Sequence, residues 1–295
     1  MRRRKFVKNC GLLMASAMAV PSLAQPGFKY KMGLQLFTIR DAMERDPLDS
    51  IKRAKAMGYQ DFETYGYEPE TDKYYGYKAS EFKTILDDLG LSTSSGHYGL
   101  ADQLGKPWSS MEKYVDACIK GAKALDQSYI TWPWLPPERR NLENYQKMPD
   151  ILNRIGEQVN AAGLGFAYHN HGFDFLDFGG QNGYGIIMDQ TDPALVKLQL
   201  DMYWAEHSSP VSSIELIDRQ PERFVMWHIK DMDKVTRDYT EMGNGSIDYN
   251  EILAKASQVG LEYYFIEQGG NYAKDSMQSI KDSANFFKNN LQKYL

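Results

Sequence analysis

Short apolar runs alternate with amphipathic stretches along most of this 295-residue chain, and no other feature limits the fold as strongly. Eight runs have the length and composition of buried strands. They are MGLQLF (32–37), YQDFE (59–63), LSTSS (91–95), QSYITW (127–132), LGFAYH (164–169), VKLQLD (196–201), RFVMWHIK (223–230) and EYYFIE (262–267). Helical spacing fills 47–57, 79–89, 110–125, 144–162, 248–259 and 274–292.

Four glycines separate a predicted helix from the strand that follows it. Gly58, Gly90, Gly163 and Gly260 each occupy the place of a glycine at a helix C-terminus. The chain lacks a GxGxxG motif after any strand and also lacks a low-complexity linker. Repeated units of helix, glycine and strand therefore favour a closed barrel over an open doubly wound sheet. We predict an α/β fold, a single (β/α)8 TIM barrel, over residues 25–295.

The first 24 residues have the composition of an export signal. MRRRKFVKN is strongly basic, CGLLMASAMAV is apolar but too short to span a bilayer, and Ala24 offers a small residue for cleavage. Arg3-Arg4-Lys5-Phe6 resembles a twin-arginine signal, and an ordinary secretory signal is the alternative. We expect an exported, periplasmic protein without a stable membrane anchor.

Charge and cysteine content restrict the partners of the mature chain. The whole chain has a net charge of −5, and removing the five basic residues of the predicted signal leaves a net charge of about −10. An acidic surface of this kind disfavours binding to nucleic acid. Removal of Cys10 leaves Cys118 alone, so an internal disulfide is not expected.

Polar residues collect where the predicted strands end. Active sites of (β/α)8 barrels lie at the C-terminal ends of the strands. Residues two apart on a strand face the same side, so His171 should accompany His169, and Lys230 should accompany His228. The polar residues at or just after strand ends are Glu63, His97, His169, Asp201, His228 and Glu267.

Four of these residues suit a metal site. His169, Asp201, His228 and Glu267 are separated by 32, 27 and 39 residues, which is about one strand and helix each. They can therefore meet at the mouth of the barrel. Mixed nitrogen and oxygen ligands suit a divalent ion such as manganese, iron, cobalt or zinc. Taken singly, each residue could instead be a hydrogen-bonded structural residue or a helix cap.

Other residues remain open between two interpretations. Trp132, Trp134, Tyr203 and Trp204 could belong to the core, or could form an apolar wall against a sugar ring. The tyrosine-rich segment 64–78 could be a lid or a solvated loop. We expect His207 to lie on a surface loop after Asp201.

Eight motifs follow one another along the chain. They are LQLFTIRD, GYQDFETYG, SGHYG, YHNHGFDF, LQLDMYW, WHIKDMD, GNGSIDYNEIL and FIEQG. In this order they resemble the sugar phosphate isomerase/epimerase group of xylose isomerase-like barrels. Epimerases of that superfamily hold one divalent metal with Glu, Asp, His and Glu from successive late strands. By this resemblance Asp201, His228 and Glu267 match the last three ligands, while His169 stands where the first glutamate would be.

The resemblance implies proton abstraction next to a sugar carbonyl, which gives an enediolate. The two metal-bound glutamates of those epimerases form the acid/base pair, and here His169 replaces one of them. We expect His169, His171, Glu267 and Lys230 to be catalytic. Glu63, His97 and Trp204 should contact a small-molecule sugar. Lys230 would face the developing oxyanion, or would instead pair with Asp231 or Glu63.

Several outcomes of that step stay open. Reprotonation gives an epimer or an isomer, which we favour, whereas loss of a β-leaving group gives a 3-keto-glycoside lyase. The export signal and the lack of a glycine-rich phosphate cradle favour a keto-sugar or an oxidised glycoside over a sugar phosphate. A non-catalytic sugar-binding barrel is a second alternative. A metal-dependent abasic-site nuclease of the same superfamily is disfavoured by the acidic chain.

Overall fold

Eight parallel strands close into a barrel in a computed structural model that describes residues 28–295. The predicted export signal and Cys10 lie outside the described residues. Each strand pairs with its neighbours in chain order, and the last pairs with the first, which confirms the (β/α)8 TIM barrel. The strands are β1 (Gly33–Gln35), β2 (Asp61–Thr64), β3 (Ser92–His97), β4 (Tyr129–Trp132), β5 (Gly165–His169), β6 (Lys197–Asp201), β7 (Phe224–Ile229) and β8 (Tyr263–Ile266).

Helices fill most of the connections between the strands. The six predicted helical segments are present, although 248–259 is a short α-helix that continues as the 3-10 turn Ala254–Gln258. Four further helices, α1 and α6–α8, were not predicted. The helices are α1 (Arg40–Arg45), α2 (Pro47–Ala56), α3 (Ala79–Asp88), α4 (Trp108–Ala124), α5 (Leu142–Ala161), α6 (Gly183–Gln190), α7 (Met202–Ser208), α8 (Ser213–Arg219), α9 (Tyr249–Leu253) and α10 (Ser276–Asn290). No helix in the described part of the chain is long and apolar enough to cross a membrane.

Alternation along the strands divides the barrel interior into an apolar end and a polar end. A small buried cluster fills the end where the strands begin, and it includes Ala167, Met226 and Phe265. Two residues further along each of these strands stand His169, His228 and Glu267. Side chains two apart share a face, so the polar residues also point into the barrel. A second, much larger core packs the outside of the strands against the helices.

The predicted glycine caps are confirmed at three of four positions. Gly58, Gly90 and Gly163 have positive φ angles of 105°, 63° and 82°, a region that suits glycine. The prediction for Gly260 was wrong, because its φ is not positive and an added Cβ would lie 3.2 Å from Glu222 Oε2. The preceding segment ends as a 3-10 turn instead of an α-helix, so no left-handed cap is needed there.

Replacing Gly163 with alanine should isolate the cost of its backbone conformation. A Cβ at this position would meet no atom within 4 Å, so only the left-handed backbone opposes the change. We expect a loss of about 1–2 kcal/mol in the free energy of unfolding, measured by urea denaturation. Gly270→Ala is the control, because an added Cβ there also meets nothing within 4 Å and its φ is not positive. Equal effects in both variants would contradict the cap assignment.

Candidate active site

A cavity of about 650 Å³ opens where the barrel strands end. Polar side chains from four strands or strand ends form one part of its wall, and aromatic side chains form much of the rest. The polar group comprises His97, His169, His171, Lys230 and Glu267, and the aromatic group comprises Phe37, Tyr65, Tyr67, Tyr98, Tyr114, Trp134, Trp204 and Tyr239. The arrangement fits a small polar reaction centre beside a broad apolar contact surface.

Lys230 joins two of the predicted metal ligands. Its Nζ lies 2.5 Å from Asp201 Oδ2 and 2.7 Å from Glu267 Oε2, and all three side chains are almost fully buried. Burial disfavours the ammonium form, but the two carboxylates outweigh that effect and raise the pKa of Lys230. The alternative pairing of Lys230 with Asp231 or Glu63 was wrong. Asp231 instead accepts backbone N–H groups of the loop that contains Gly243 and Gly245.

His228 is held between two carboxylates. Its Nδ1 lies 2.6 Å from Glu267 Oε2, and its Nε2 lies 2.5 Å from Glu63 Oε2. Burial disfavours the charged ring, yet the negative charges of Glu63 and Glu267 raise the pKa of His228 to about 9. As an imidazolium, His228 supplies positive charge to the cluster.

Glu63 lies behind the residues that line the cavity. Its Oε1 accepts a hydrogen bond from Gln199 Nε2 at 2.6 Å, and its Oε2 accepts one from Gln35 Nε2 at 2.6 Å. His97 Nε2 lies 3.1 Å from the same Oε2. Burial opposes ionisation, but the neighbouring His97 and His228 hold the pKa of Glu63 well below its usual range. We predicted direct substrate contact for Glu63. The geometry instead gives it protein partners on both oxygens.

The four predicted metal ligands converge, but they do not form one group. Ligand atoms of Asp201, His228 and Glu267 lie within 4.8 Å of one another, and His169 belongs to a second group with His97 and His228. The His169 Nε2 atom lies 3.6 Å from Asp201 Oδ2, which links the two groups. Burial, reinforced by the His228 charge, lowers the pKa of His169 well below 6.5. Its ring is therefore neutral and can act as a ligand or a base. The four-ligand site stays a prediction.

His171 lies beside His169, as the shared face predicted. Their ring centroids are 4.8 Å apart, and the His171 ring stacks on Phe173 at 5.1 Å. Its Nδ1 is buried and has no hydrogen-bond partner among residues 28–295. Burial, together with the Lys230 charge, lowers the pKa of His171 well below 6.5. Trp204 lies 5.8 Å away and also faces the cavity, where substrate contact was predicted for it.

The four aromatic residues left open divide between core and wall. Trp132 and Tyr203 are buried in the protein, whereas Trp134 and Trp204 line the cavity. Segment 64–78 contains a short hairpin, and its first residues, 65–67, also line the cavity. The prediction of a surface loop around His207 was wrong: His207 lies in α7 and stacks on Tyr203 at 5.5 Å. This helix begins at once after β6, because the Asp201 side chain caps it by accepting from Trp204 N.

Gln199 is a residue of this site to which the sequence analysis assigned no role. It lies two positions before Asp201 on β6, is fully buried, and contacts Glu63, His97 and His169. Because it lies two residues before Asp201, it shares the face of the strand that points into the barrel. This spacing could have located Gln199, but an uncharged amide carries no signal for catalysis.

Asp174 accepts a hydrogen bond from the backbone of His171. Its Oδ2 accepts from His171 N at 2.7 Å, and its Oδ1 accepts from the hydroxyls of Tyr145 at 2.7 Å and Tyr168 at 2.8 Å. Burial raises the pKa of Asp174 from 3.8 to about 6, although these hydrogen bonds oppose the change. Between those two pH values the folded protein keeps a proton that the unfolded chain releases. Stability therefore falls as pH rises through this range.

Asp174→Asn should remove that pH dependence. One pKa unit is worth 1.36 kcal/mol, so the wild-type protein should lose about 3 kcal/mol relative to the variant as pH rises from 3.8 to 6. Urea denaturation at several pH values between about 4 and 7 measures the difference, because this range spans both pKa values. Asp88→Asn, at an exposed carboxylate, is the control. Parallel pH profiles for the wild-type protein and Asp174→Asn would contradict the buried carboxyl assignment.

The chain is similar to one family model and to solved structures of other barrels. A family model described as xylose isomerase-like TIM barrel matches residues 51–290. The crystal structure of a sugar phosphate isomerase/epimerase from Parabacteroides distasonis is 26% identical, with a TM-score of 0.79 over 92% of this chain and 97% of that chain. The structure of the IOLI protein with a bound zinc atom is 16% identical, with a TM-score of 0.72 over 90% of this chain and 99% of that chain.

A curated relative covers a smaller part of the chain. An inosose dehydratase from Bacillus licheniformis is 27% identical over an alignment of 143 residues, which covers 42% of this chain and 46% of that protein. The chain thus spans less than half the length of this relative. These similar proteins include a sugar isomerase/epimerase and a dehydratase.

Proposed function

This chain belongs to the xylose isomerase-like TIM barrel family, and from that premise we propose that it is a metal-dependent sugar isomerase or epimerase. Its substrate is a keto-sugar or an oxidised glycoside, from which it removes the proton next to the carbonyl group. The observation that carries the proposal is the meeting of His169, Lys230 and Glu267 at one end of a single cavity. Two proton-transfer groups and a fixed cation in one place suit the formation of an enediolate.

The buried charges fit a divalent ion. Glu63, Asp201 and Glu267 are carboxylates with at most 8% exposure, and Lys230 offsets one of the three negative charges. Two negative charges remain when His228 is neutral, which is the form of histidine that binds metals. Asp201, His228 and Glu267 would hold the ion, with His169 as a fourth ligand. When bound, such an ion would polarise the sugar carbonyl and lower the cost of the negative charge on oxygen.

The protein's own groups supply the proton transfers. Glu267 faces the cavity as a carboxylate and can accept a proton from carbon, and the neutral ring of His169 can do so when its one free lone pair does not bind the ion. Lys230 lies between Asp201 and Glu267 and can donate a hydrogen bond to the oxygen that becomes negative. Trp204 and Tyr239 line the same cavity, and their rings exclude water from the wall that they form.

The shape of the cavity favours an oxidised glycoside over a free ketose. Its volume is about 650 Å³, and the rings of Phe37, Tyr65, Tyr67 and Trp134 form part of its wall. Such rings suit the apolar face of a second sugar ring. We further propose export to the periplasm, where such glycosides would be met outside the cytoplasm.

One observation favours β-elimination as a second candidate reaction. His169 replaces one glutamate of the acid/base pair of the related epimerases, so two-sided proton transfer between equivalent carboxylates is not available. A single base suffices to remove the proton next to the carbonyl while the β C–O bond breaks and the leaving group departs. The partial likeness to an inosose dehydratase points in the same direction.

Product analysis in deuterium oxide separates these reactions. The metal-loaded protein is incubated with a 3-keto-glucoside and, separately, with free ketoses, and the products are followed by NMR. We expect deuterium to enter at the carbon next to the carbonyl, with an intact glycosidic bond in the glycoside. Release of the aglycone with an unsaturated keto-sugar would replace the isomerase or epimerase assignment with the lyase. Failure to exchange hydrogen in either class would identify a sugar-binding barrel instead.

A further inference from the structure

The buried amide of Gln199 connects two histidines with a carboxylate. Its Oε1 lies 2.8 Å from His97 Nε2 and 2.9 Å from His169 Nδ1. Its Nε2 lies 2.6 Å from Glu63 Oε1. The side chain has no exposed surface, so the protein alone satisfies both ends of the amide.

Glu63 decides which way the amide points. An ionised carboxylate only accepts hydrogen bonds, and Glu63 already receives donors from Gln35 and His228 on its other oxygen. The Gln199 atom that faces Glu63 must therefore be the NH₂ group. The opposite orientation would place two acceptor oxygens against each other in a buried site, where neither would receive a hydrogen bond from the other. The carbonyl oxygen of Gln199 consequently faces the two histidines.

A carbonyl oxygen cannot donate, so each histidine must donate to it. We propose that Gln199 is a positioning residue that keeps the proton of His169 on Nδ1 and that of His97 on Nε2. His169 then presents Nε2 as its one nitrogen with a free lone pair, 3.6 Å from Asp201 Oδ2 and toward the cavity. This assignment holds whether the ring is neutral or charged, because Nδ1 carries a proton in both states.

The catalytic consequence rests on the proposed function, whereas the tautomer does not. If His169 took the other tautomer, its Nε2 would carry a proton and could neither accept one nor bind a cation. Loss of the Gln199 acceptor should therefore reduce kcat about 100-fold through His169, with a smaller change in KM. The inferred tautomer can be measured without any substrate.

Nitrogen NMR of the ring atoms tests the assignment directly. Protein labelled with ¹⁵N-histidine is freed of metal with EDTA, and two-bond proton–nitrogen spectra distinguish the two tautomers of each ring. His169→Gln and His97→Gln spectra assign the signals. In the wild-type protein we expect the Nδ1–H form for His169 and the Nε2–H form for His97. An Nε2–H signal for neutral His169 would overturn the proposal.

Two substitutions of Gln199 test whether its acceptor oxygen sets the tautomer of His169. In Gln199→Met the acceptor is lost, so the Nδ1–H signal of His169 should weaken in favour of Nε2–H. His97 should keep its tautomer, since Glu63 Oε2 still lies 3.1 Å from its Nε2. Gln199→Glu retains an acceptor oxygen toward His169, and its second oxygen can replace the lost NH₂ donor by sharing a proton with Glu63 Oε1. This variant should therefore preserve the Nδ1–H form of His169. An unchanged His169 signal in Gln199→Met would sink the inference.

A control variant shows whether a glutamine-to-methionine change by itself disturbs the fold. Gln181→Met, at an exposed position, should match the wild-type spectrum and thermal midpoint. If Gln199→Met does not fold, Gln199→Glu remains decisive, because loss of the Nδ1–H signal in that variant would overturn the proposal. Wild-type tautomers as expected, in a protein that turns over no sugar, would support the role of Gln199 and refute the proposed function alone.

Discussion

Replacing Glu267 with glutamine should lower kcat about 1,000-fold and reduce the bound divalent metal to well below one equivalent. The substitution keeps the shape of the side chain but removes the negative charge that lies 2.7 Å from Lys230 Nζ and 2.6 Å from His228 Nδ1. It also removes one proposed metal ligand and one proposed base together. Turnover of the keto-sugar and elemental analysis of the purified protein measure the two effects.

A glutamate at the other end of the same strand provides the control. Glu262 precedes β8, is exposed, and accepts a hydrogen bond from Tyr129 OH at 2.9 Å. It lies at the opposite end of the barrel from Glu267, so Glu262→Gln should retain metal and turnover. Turnover within about threefold of the wild-type protein in Glu267→Gln, with full metal content, would refute both roles of Glu267.

The sequence was most informative where strand geometry alone positions a residue. Asp201, His228 and Glu267 could be placed at one barrel mouth because consecutive parallel strands end on the same side, and the structure brings their ligand atoms within 4.8 Å. Glu63 was placed on the correct strand, but its depth was not predictable. Whether a carboxylate faces substrate or protein donors depends on partners such as Gln35 and Gln199, which lie far away in sequence.

The helices that were missed have a local physical cause. In α6, the sequence GYGIIMDQ contains two glycines and lacks the polar face by which amphipathic helices are recognised. Gly183 is needed there because an added Cβ would lie 2.2 Å from the Tyr145 ring. Helix α7 follows β6 without a loop, whereas a surface loop after Asp201 was predicted for this segment. Close tertiary packing decides both cases, and a single sequence does not display it.

Lys230→Met should be the most destabilising of these changes. The substitution preserves most of the side-chain volume but removes the cation that lies 2.5 Å from Asp201 Oδ2 and 2.7 Å from Glu267 Oε2. Two buried carboxylates then lack their common counter-charge. Removing one partner of such a buried ion pair costs about 3–5 kcal/mol. For a chain of this size the thermal midpoint should fall on the order of 10 °C.

Added metal should partly reverse that loss if the site is a metal centre. Lys230 contacts the same carboxylate oxygens that would bind the ion, so its removal both increases the negative charge and opens the position. Zinc ions should therefore raise the thermal midpoint more in Lys230→Met than in the wild-type protein, because binding to the folded state stabilises it. Turnover should nevertheless stay low, since the cation opposite the developing oxyanion is missing.

A surface lysine separates the effect of buried charge from the loss of any ion pair. Lys255 Nζ lies 2.8 Å from Asp218 Oδ1, but this pair is partly exposed, so Lys255→Met should cost less than about 1 kcal/mol and should not respond to zinc. Equal midpoints for the two variants would show that Lys230 contributes no more than a surface pair. Intact turnover in Lys230→Met would also refute the role of Lys230 opposite the developing oxyanion. In that case Lys230 would not explain how Glu63, Asp201 and Glu267 stay charged while buried, and a bound divalent ion would have to supply the compensating positive charge.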